Sequence, residues 1–315
     1  MKKSVLFCLV LASVLWGVSS AAMEPMPELS KFDKKLFSLV KKGSVDIDEL
    51  RKLCKQGANI FAVDHYNDNV SLLHLVFLGK CNVVSNNIEE LLDTLLTLGE
   101  EQDSKKVAAW CNLQTKAQKL TALHLAASGG ASRCIALLLQ VGANPNIVEK
   151  EYNTPVDVAL YSAKCNPKLK TECLLCAECL LDHKGFDFAQ KNGPLETTIL
   201  HYVCKLNEVK YVKLVVEKAK QRMEDDEFKK WLGALSKIQL HDGTYEQVSA
   251  IFLAGLYHPH YKNTVEYLEA QGESSAVTFS GEDICVKDIF AMARAKEKIT
   301  GKNPIVWLSG VPYVG

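Results

Sequence analysis

The amino-acid sequence predicts an all-α fold, a solenoid of stacked antiparallel helix pairs joined by hairpin loops. One indication is the segment Leu120–Leu160, in which two apolar runs at helical spacing are separated by a Gly-Gly turn. Another is that the start of this segment returns 33 positions later, from His124 to Asp157. A repeat of this length is a unit that cannot bury its apolar face alone, so copies of it must stack.

Each helix of this segment has recognisable start and end signals. Thr121 and Thr154 stand where a side-chain oxygen can cap the first helix, and Pro155 suits the first helical position. The Gly-Gly pair permits a tight turn into the second helix. Gly142 then ends that helix, and an Asn-Pro pair leads into a turn.

Both helical patterns recur along the chain. The first-helix pattern starts at Ser71, Thr121, Thr154, Thr198 and, faintly, Val286. The second-helix pattern covers Leu50–Ala58, Leu92–Glu100 and Ile135–Ala143, with weaker copies at Val212–Lys220 and Val265–Glu273. We expect six to seven repeats from about Phe32 to Gly310, with insertions in the second repeat and around Ser162–Lys170. Residues 32–221 form the regular part, and residues 222–315 are divergent repeats or a helical cap.

The segment TALHLAASGGASRCIALLLQVGAN resembles an ankyrin repeat. This resemblance implies a rigid stack in which hairpin loops project as fingers and first helices line a concave face. It also implies protein–protein binding rather than catalysis, with no cofactor and no metal. No phosphate-binding glycine loop, nucleophile elbow or paired-histidine zinc motif is present in the sequence.

The N-terminal residues have the layout of a Sec-type signal peptide. Two lysines precede the apolar run Val5–Val18, and Ser20 and Ala22 fit the small positions before a cleavage site. The run is short for a transmembrane helix, which needs roughly 20 apolar residues, although an uncleaved anchor is the alternative. We therefore expect a signal peptide at 1–22, a linker at 23–31 and an exported protein.

The overall charge gives no general attraction to polyanions. Lys plus Arg equals Asp plus Glu, at 37 each, and no dense run of basic residues is present. A neutral chain of this kind is not drawn electrostatically to nucleic acid or to an anionic membrane. We expect a monomer whose partner is another protein.

The cysteine-rich stretch Thr171–Gly185 admits three explanations: core packing, disulfides that include Cys165, or a zinc site. Alignment with the repeat places Cys134 and Cys176, and also Cys54, in core positions, where cysteine acts as a small hydrophobe. One straight helix separates the outer two cysteines by about 9 Å along its axis, so it cannot offer all three to one zinc ion. Two of them together with Cys165 remain a possible zinc set. Cys173 lies in the first helical turn, so we expect its thiol to be somewhat acidic and Cys173 to be the reactive cysteine of this stretch.

His74, His124 and His201 all occupy the same position of the repeat. In ankyrin repeats this histidine typically binds the backbone of the neighbouring loop, and its recurrence favours a structural role over catalysis. His258 and His260 flank a proline and are interpreted as loop residues.

The expected partner-binding residues lie in the fingers, between one second helix and the next first helix. They are His65, Tyr66, Asn67 and Asp68; Gln114, Thr115 and Lys116; Lys150, Glu151 and Tyr152; Lys191 and Asn192; and His241 and Asp242. Tyrosines at such positions are candidate anchors, because aromatic residues dominate binding hot spots.

A signal peptide combined with ankyrin repeats resembles secreted ankyrin proteins of bacteria that live inside eukaryotic cells. The hypothesis that follows is an exported protein that binds a host protein. One alternative is a periplasmic binding module with a bacterial partner. Another is an enzyme whose activity lies in the divergent C-terminal region, where Cys285 is the cysteine available.

Overall fold

The computed structural model describes most of the chain. The described residues are 28–42, 46–78, 86–206, 208–257, 262–279 and 281–287, with 292, 295, 299 and 300. They form thirteen α-helices and three two-stranded antiparallel hairpins, and they fall into two compact units that divide after His183. The predicted signal peptide, most of the predicted linker, His258, His260 and Gly310 lie outside the described residues.

The first unit consists of four helix pairs in chain order. They are α1 (Lys31–Lys42) and α2 (Ile47–Lys55), α3 (Leu72–Leu78) and α4 (Asn86–Cys111), α5 (Ala122–Gly129) and α6 (Ser132–Gln140), and α7 (Pro155–Cys165) and α8 (Lys170–Asp182). First helices pack on first helices and second helices on second helices, which confirms stacked helix pairs in this unit. A short hairpin of β1 (Val63–Asp64) and β2 (Val70–Ser71) joins the first two pairs.

The core of the first unit follows the apolar spacing of each helix. In α6, for example, Ile135 and Leu138 are fully buried, and in α8 Leu180 and Leu181 are fully buried. Burying such a side chain contributes roughly 1.5–3 kcal/mol. The stack is therefore stabilised where the repeat pattern places its paired apolar residues.

Two insertions shape the first unit. The extra residues predicted for the second repeat fall between α3 and α4, where 79–85 lie outside the described part. The sequence did not predict that α4 continues beyond a break at Asp103, whose φ is −164°. Its last turn brings Trp110 against Phe61, with ring centroids 5.3 Å apart. The insertion around Ser162–Lys170 is the last turn of α7 and a 3₁₀-helix at Pro167–Leu169.

The second unit also contains helix pairs, but hairpins lie between them. Its elements are α9 (Ile199–Lys205), α10 (Val209–Arg222), α11 (Asp225–Leu232), β3 (Leu235–Gln239), β4 (Tyr245–Ser249), α12 (Ala250–Tyr257), α13 (Lys262–Ala270), β5 (Ala276–Phe279) and β6 (Glu282–Cys285). Helix α9 packs on α12, and α10 packs on α13.

The hairpins correct the prediction of an all-α chain. Strands β3 and β4 pair antiparallel from Leu235↔Ser249 to Gln239↔Tyr245. An Asp-Gly turn flanked by alternating residues is a strong hairpin signal, and Gly243 in this turn has a φ of +86°. The segment between α11 and α12 is long enough to form two strands, so it folds back on itself as a hydrogen-bonded hairpin.

The cysteines largely follow the core-packing explanation. Cys134, Cys173 and Cys176 are buried, whereas Cys54 is half-buried, so its assignment to a core position is correct only in part. Burial raises the pKa of the Cys173 thiol to about 11. The expectation that the Cys173 thiol is somewhat acidic is therefore wrong, because desolvation disfavours the thiolate.

The disulfide and zinc explanations of the cysteine-rich helix can be compared with the burial and grouping of its cysteines. Cys179 is half-buried and Cys165 is exposed near the end of α7. Within the described part of the chain, no three His, Cys, Asp or Glu side chains are grouped so that they could hold a metal ion. Of the cysteines in this stretch, Cys173 and Cys176 are the fully buried ones, where cysteine acts as a small hydrophobe.

Replacing Cys176 with Ala should lower the free energy of unfolding by up to about 2 kcal/mol, because the side chain is fully buried. Cys176→Ser should cost more, since a buried hydroxyl needs a hydrogen-bond partner. Urea denaturation of both variants measures the difference. Cys165→Ser, at an exposed position, serves as the control, and equal stability of all three variants would contradict the core position.

Candidate partner-binding surface

Each finger of the first unit is anchored by the helix that follows it. At α5, the backbone N–H of Thr121 donates to Nδ1 of His124 at 3.1 Å. Nδ1 therefore carries no proton, and Nε2–H donates to the carbonyl oxygen of Asn153 at 3.2 Å. This neutral imidazole caps its own helix and also holds the next finger.

The same arrangement occurs at His74, whose Nε2–H donates to the Leu120 carbonyl oxygen at 3.0 Å. The predicted register role is confirmed for His74 and His124. His201 keeps the contact of Nδ1 with Thr198, at 2.7 Å from Oγ1, but its buried Nε2 has no hydrogen-bond partner among the described residues. Here α11 and the β3–β4 hairpin replace the short loop that supplies the acceptor elsewhere.

Burial keeps these histidines neutral. Desolvation lowers the pKa of His74, and it lowers the pKa values of His124 and His201 to about 4. For His74 and His124, the backbone carbonyls that accept from Nε2–H oppose this shift only partly. An imidazole that stays neutral can accept from the helix start and donate to the finger at the same time.

Asp157 replaces histidine in the fourth copy. Its Oδ2 accepts from the backbone N–H of Thr154 at 2.8 Å and from the Thr154 hydroxyl at 2.7 Å. Its buried Oδ1 has no hydrogen-bond partner in the described part of the chain. Burial raises the pKa of this carboxyl to about 6. The cap is kept, although a carboxylate cannot donate to a carbonyl as imidazole does.

Three fingers of the first unit are bonded directly to one another. We name residues 65–69 the first finger, 115–119 the second finger and 149–153 the third finger. The carbonyl oxygen of Asp68 accepts from Lys116 N–H at 2.9 Å, and its carboxylate accepts from Ala117 N–H at 2.5 Å. Lys150 N–H donates to Gln118 O at 3.0 Å. The fingers therefore form one hydrogen-bonded edge.

Buried polar side chains fix the shape of the second and third fingers. Glu149 is 8% exposed and accepts from Glu151 N–H at 2.8 Å and from the Asn153 amide at 2.6 Å. Gln114 joins both fingers, because its Nε2 donates to Lys119 O and to Val148 O. The sequence analysis did not select Glu149, although a carboxylate followed by Asn and Thr before a helix is a loop-ordering signal.

The structure divides the predicted contact residues into two groups. In the first unit, the exposed members are Tyr66, Asn67, Lys116, Lys150, Glu151 and Tyr152, although the Asn67 amide also donates to the Asp64 carboxylate. The members whose polar groups are used inside the fingers are His65, Asp68, Gln114 and the buried Thr115. The exposed side chains are available to a partner, and the internally bonded side chains hold the fingers that carry them in shape.

The second unit holds the remaining predicted residues. Lys191 is exposed and pairs with Glu196 at 3.1 Å, and Asn192 forms an antiparallel bridge with Thr197. His241 and Asp242 are exposed at the β3–β4 turn, where the Asp242 carboxylate accepts from Thr244 N–H at 2.9 Å. Cys285 is exposed on β6.

None of the helices in the described part combines the length and the apolar character that crossing a bilayer requires. A comparison with curated proteins found no match. A comparison with protein families matched residues 111–159 to the family described as ankyrin repeats (many copies). The matched range contains the second finger, helices α5 and α6, the third finger and the start of α7. Ankyrin repeats are modules of protein–protein interaction, and residues 111–159 of this chain are similar to that family.

Proposed function

We propose that this protein binds another protein through the finger edge of its first unit. The observation that carries the proposal is the position of two tyrosines at finger tips. Tyr66 is 69% exposed in the first finger, and Tyr152 is 51% exposed in the third finger. Large exposed aromatic side chains on a rigid support are typical anchors of protein interfaces.

The support is rigid because the fingers are ordered before any partner arrives. Asp68 ties the second finger to the first, and the Lys150–Gln118 bond ties the third finger to the second. A preorganised surface loses little conformational entropy on docking, so more of the contact energy becomes affinity.

Replacing Tyr66 and Tyr152 together with Ala should weaken partner binding at least tenfold, because each truncated anchor costs about 1–2 kcal/mol. The free energy of unfolding should change by less than about 0.5 kcal/mol, since both rings are exposed. A partner is first captured on the immobilised full chain, identified and purified, and calorimetric titration with this captured partner measures the affinity. Leu175→Ala is the matched control, because Leu175 is 49% exposed on α8, outside the fingers. Equal loss in the control, or none in the double variant, would contradict the proposal.

The finer proposal is that the module is exported and meets a host protein. It is supported by the signal-peptide pattern of residues 1–22 together with the ankyrin resemblance. A periplasmic module with a bacterial partner is the alternative. In a reducing host cytosol the buried thiols would stay unpaired, whereas the periplasm favours disulfides.

The intact mass of protein from its native source tests export. A chain that begins near Met23 with unpaired thiols after alkylation agrees with export and residence in a reducing compartment. A chain that retains residues 1–22 contradicts cleavage of a signal peptide and favours the uncleaved anchor. Paired cysteines in a processed chain favour the periplasmic alternative.

A further inference from the structure

One backbone position is left-handed in four successive fingers. It lies two residues before each helix-capping Ser or Thr, and its φ values are 56° at Asn69, 55° at Lys119, 65° at Tyr152 and 51° at Glu196. Glycine adopts this conformation freely, whereas other L-residues are disfavoured there. A side chain kept at such a position needs a reason that outweighs the strain.

Two of these side chains have an internal reason. The Oδ1 atom of Asn69 lies 2.9 Å from Nδ1 of His65 within the first finger. In the second unit, the carboxylate of Glu196 forms ion pairs with Lys191 and Lys237. These residues stabilise their own fingers, so their strain is explained within the fold.

Lys119 and Tyr152 have no such reason. Both side chains are exposed, and neither takes part in a hydrogen bond, ion pair or ring contact with any described residue. They occupy the same position in adjacent fingers, which the bond from Lys150 N–H to Gln118 O holds together. The fold gains nothing visible from an ammonium and an aromatic ring at this place.

The charged side chains around Lys119 and Tyr152 differ in whether the fold uses them. Lys116, Lys119 and Lys150 are exposed and form no ion pair within the described part. By contrast, the carboxylates of Asp68 and Glu149 accept hydrogen bonds from backbone N–H groups of the fingers. Three ammonium groups are therefore free to meet a ligand, and the exposed carboxylate among them is that of Glu151.

We propose that the edge formed by Lys116, Lys119, Lys150 and Tyr152 receives an acidic segment of a protein partner. The lysines meet its carboxylates, and the tyrosine ring packs against an apolar side chain beside them. This assignment rests on the proposed function and names the chemistry of the partner. Charge pairing at an exposed edge speeds association and makes binding sensitive to salt.

The test uses the full chain and two fluorescein-labelled peptides of twelve residues. In one peptide glutamates alternate with Ala and Leu, and in the other glutamine replaces every glutamate. Fluorescence anisotropy at about 50 mM and 300 mM NaCl gives the affinities. The Debye length is about 10 Å at 0.1 M salt and shortens as salt is added, so exposed charges are screened more strongly at the higher concentration. We expect the glutamate peptide to bind at least tenfold more tightly at low salt and to lose this advantage at high salt.

Substitutions at the proposed edge test whether the acidic peptide binds there. Lys116→Gln, Lys119→Gln and Lys150→Gln together should remove the preference for the glutamate peptide. The matched control replaces Lys164, Lys168 and Lys170 with Gln, which removes the same charge from the end of α7, the 3₁₀-helix and the start of α8 and should leave the preference intact. Tyr152→Gly should weaken binding while the melting temperature stays equal or rises, since glycine relieves the left-handed strain.

Three results would overturn the assignment. They are equal affinity for the two peptides, equal loss in the control triple variant, and tighter binding of a thymidine oligonucleotide of the same charge. The proposed function is judged separately by the captured partner. If the Tyr66 and Tyr152 double variant loses that partner while the acidic peptide fails to bind, protein binding stands and its acidic chemistry falls.

Discussion

Replacing His124 with Ala is expected to destabilise the first unit by about 3 kcal/mol at pH 7.5. The ring is 1% exposed, and its removal leaves a cavity between α5 and the third finger. It also leaves the buried Thr121 N–H without its imidazole acceptor, and an unpaired buried polar group costs about 1–3 kcal/mol. The Asn153 carbonyl oxygen loses the Nε2–H donor but keeps the Glu149 N–H at 3.0 Å. His65→Ala, a half-buried imidazole within the first finger, should cost much less.

This effect should depend on pH. The folded pKa of His124 is about 4, below its unfolded value of 6.5, so the unfolded chain binds more protons between these values. The stabilisation is complete above pH 6.5 and is lost as the pH falls toward 4, by about 1.4 kcal/mol per pH unit. Burial is the main cause, the neighbouring His74 adds to it, and the Asn153 and Ile147 carbonyls oppose it.

Two buried carboxyls act in the opposite direction in the whole chain. The pKa of Asp157 is raised to about 6 and that of Glu273 to about 7, so their contributions are lost as the pH rises. The His124→Ala variant and the parent chain both contain these two carboxyls, so their contributions cancel in the difference between the two free energies of unfolding. Urea denaturation at pH 7.5, 5.5 and 4.5 should show the gap between the two proteins narrowing from about 3 kcal/mol toward zero. A gap that is constant with pH would contradict a neutral buried histidine in this role.

The second large effect is expected at Gly130, which ends α5 with a φ of +75°. A Cβ atom there would lie 2.7 Å from the Cβ of Glu172 on α8, closer than two carbon atoms can approach. Gly130→Ala should therefore add a steric clash to the strain of a left-handed alanine, and together they should cost about 3 kcal/mol. The tight turn between α5 and α6 is what allows α8 to pack this closely.

A graded series separates the clash from the backbone strain. Gly57 has a φ of +98° with no atom within 4 Å of an added Cβ, and Gly142 has a φ of +96° with Ala108 at 3.1 Å. Alanine should cost about 1–2 kcal/mol at Gly57, more at Gly142 and most at Gly130. Equal losses in urea denaturation at all three positions would show that the close approach to Glu172 is absent.

The regular helix pairs could be predicted because their signals are local. Capping threonines, Pro155 and the paired apolar residues specify α5 to α8 with little help from distant contacts. The β3–β4 hairpin was missed because the repeat pattern was extended across it, although its Asp-Gly turn was visible. Cys173 was misjudged because its position in the first helical turn favours a thiolate, whereas burial, which the sequence does not state, decides its pKa.

The location of the candidate surface could be predicted from the sequence, but the role of each residue in it could not. The spacing of the repeat located the fingers, and Tyr66 and Tyr152 are indeed exposed there. Sequence alone could not separate Lys116 from Asp68, because only the folded fingers show that Asp68 is bonded to the backbone of its neighbour. The left-handed position of Lys119 and Tyr152 was also hidden, since neither residue is a glycine.

Site-specific photocrosslinking tests the central claim, that the fingers of the first unit are the partner-binding surface. A photoreactive phenylalanine would replace Tyr152 in one protein and the equally exposed Leu175 in another, and both would be irradiated with the captured partner. We expect a covalent adduct of the partner with the probe at position 152 and none with the probe at position 175. An adduct formed equally at both positions, or at position 175 alone, would place the interface elsewhere.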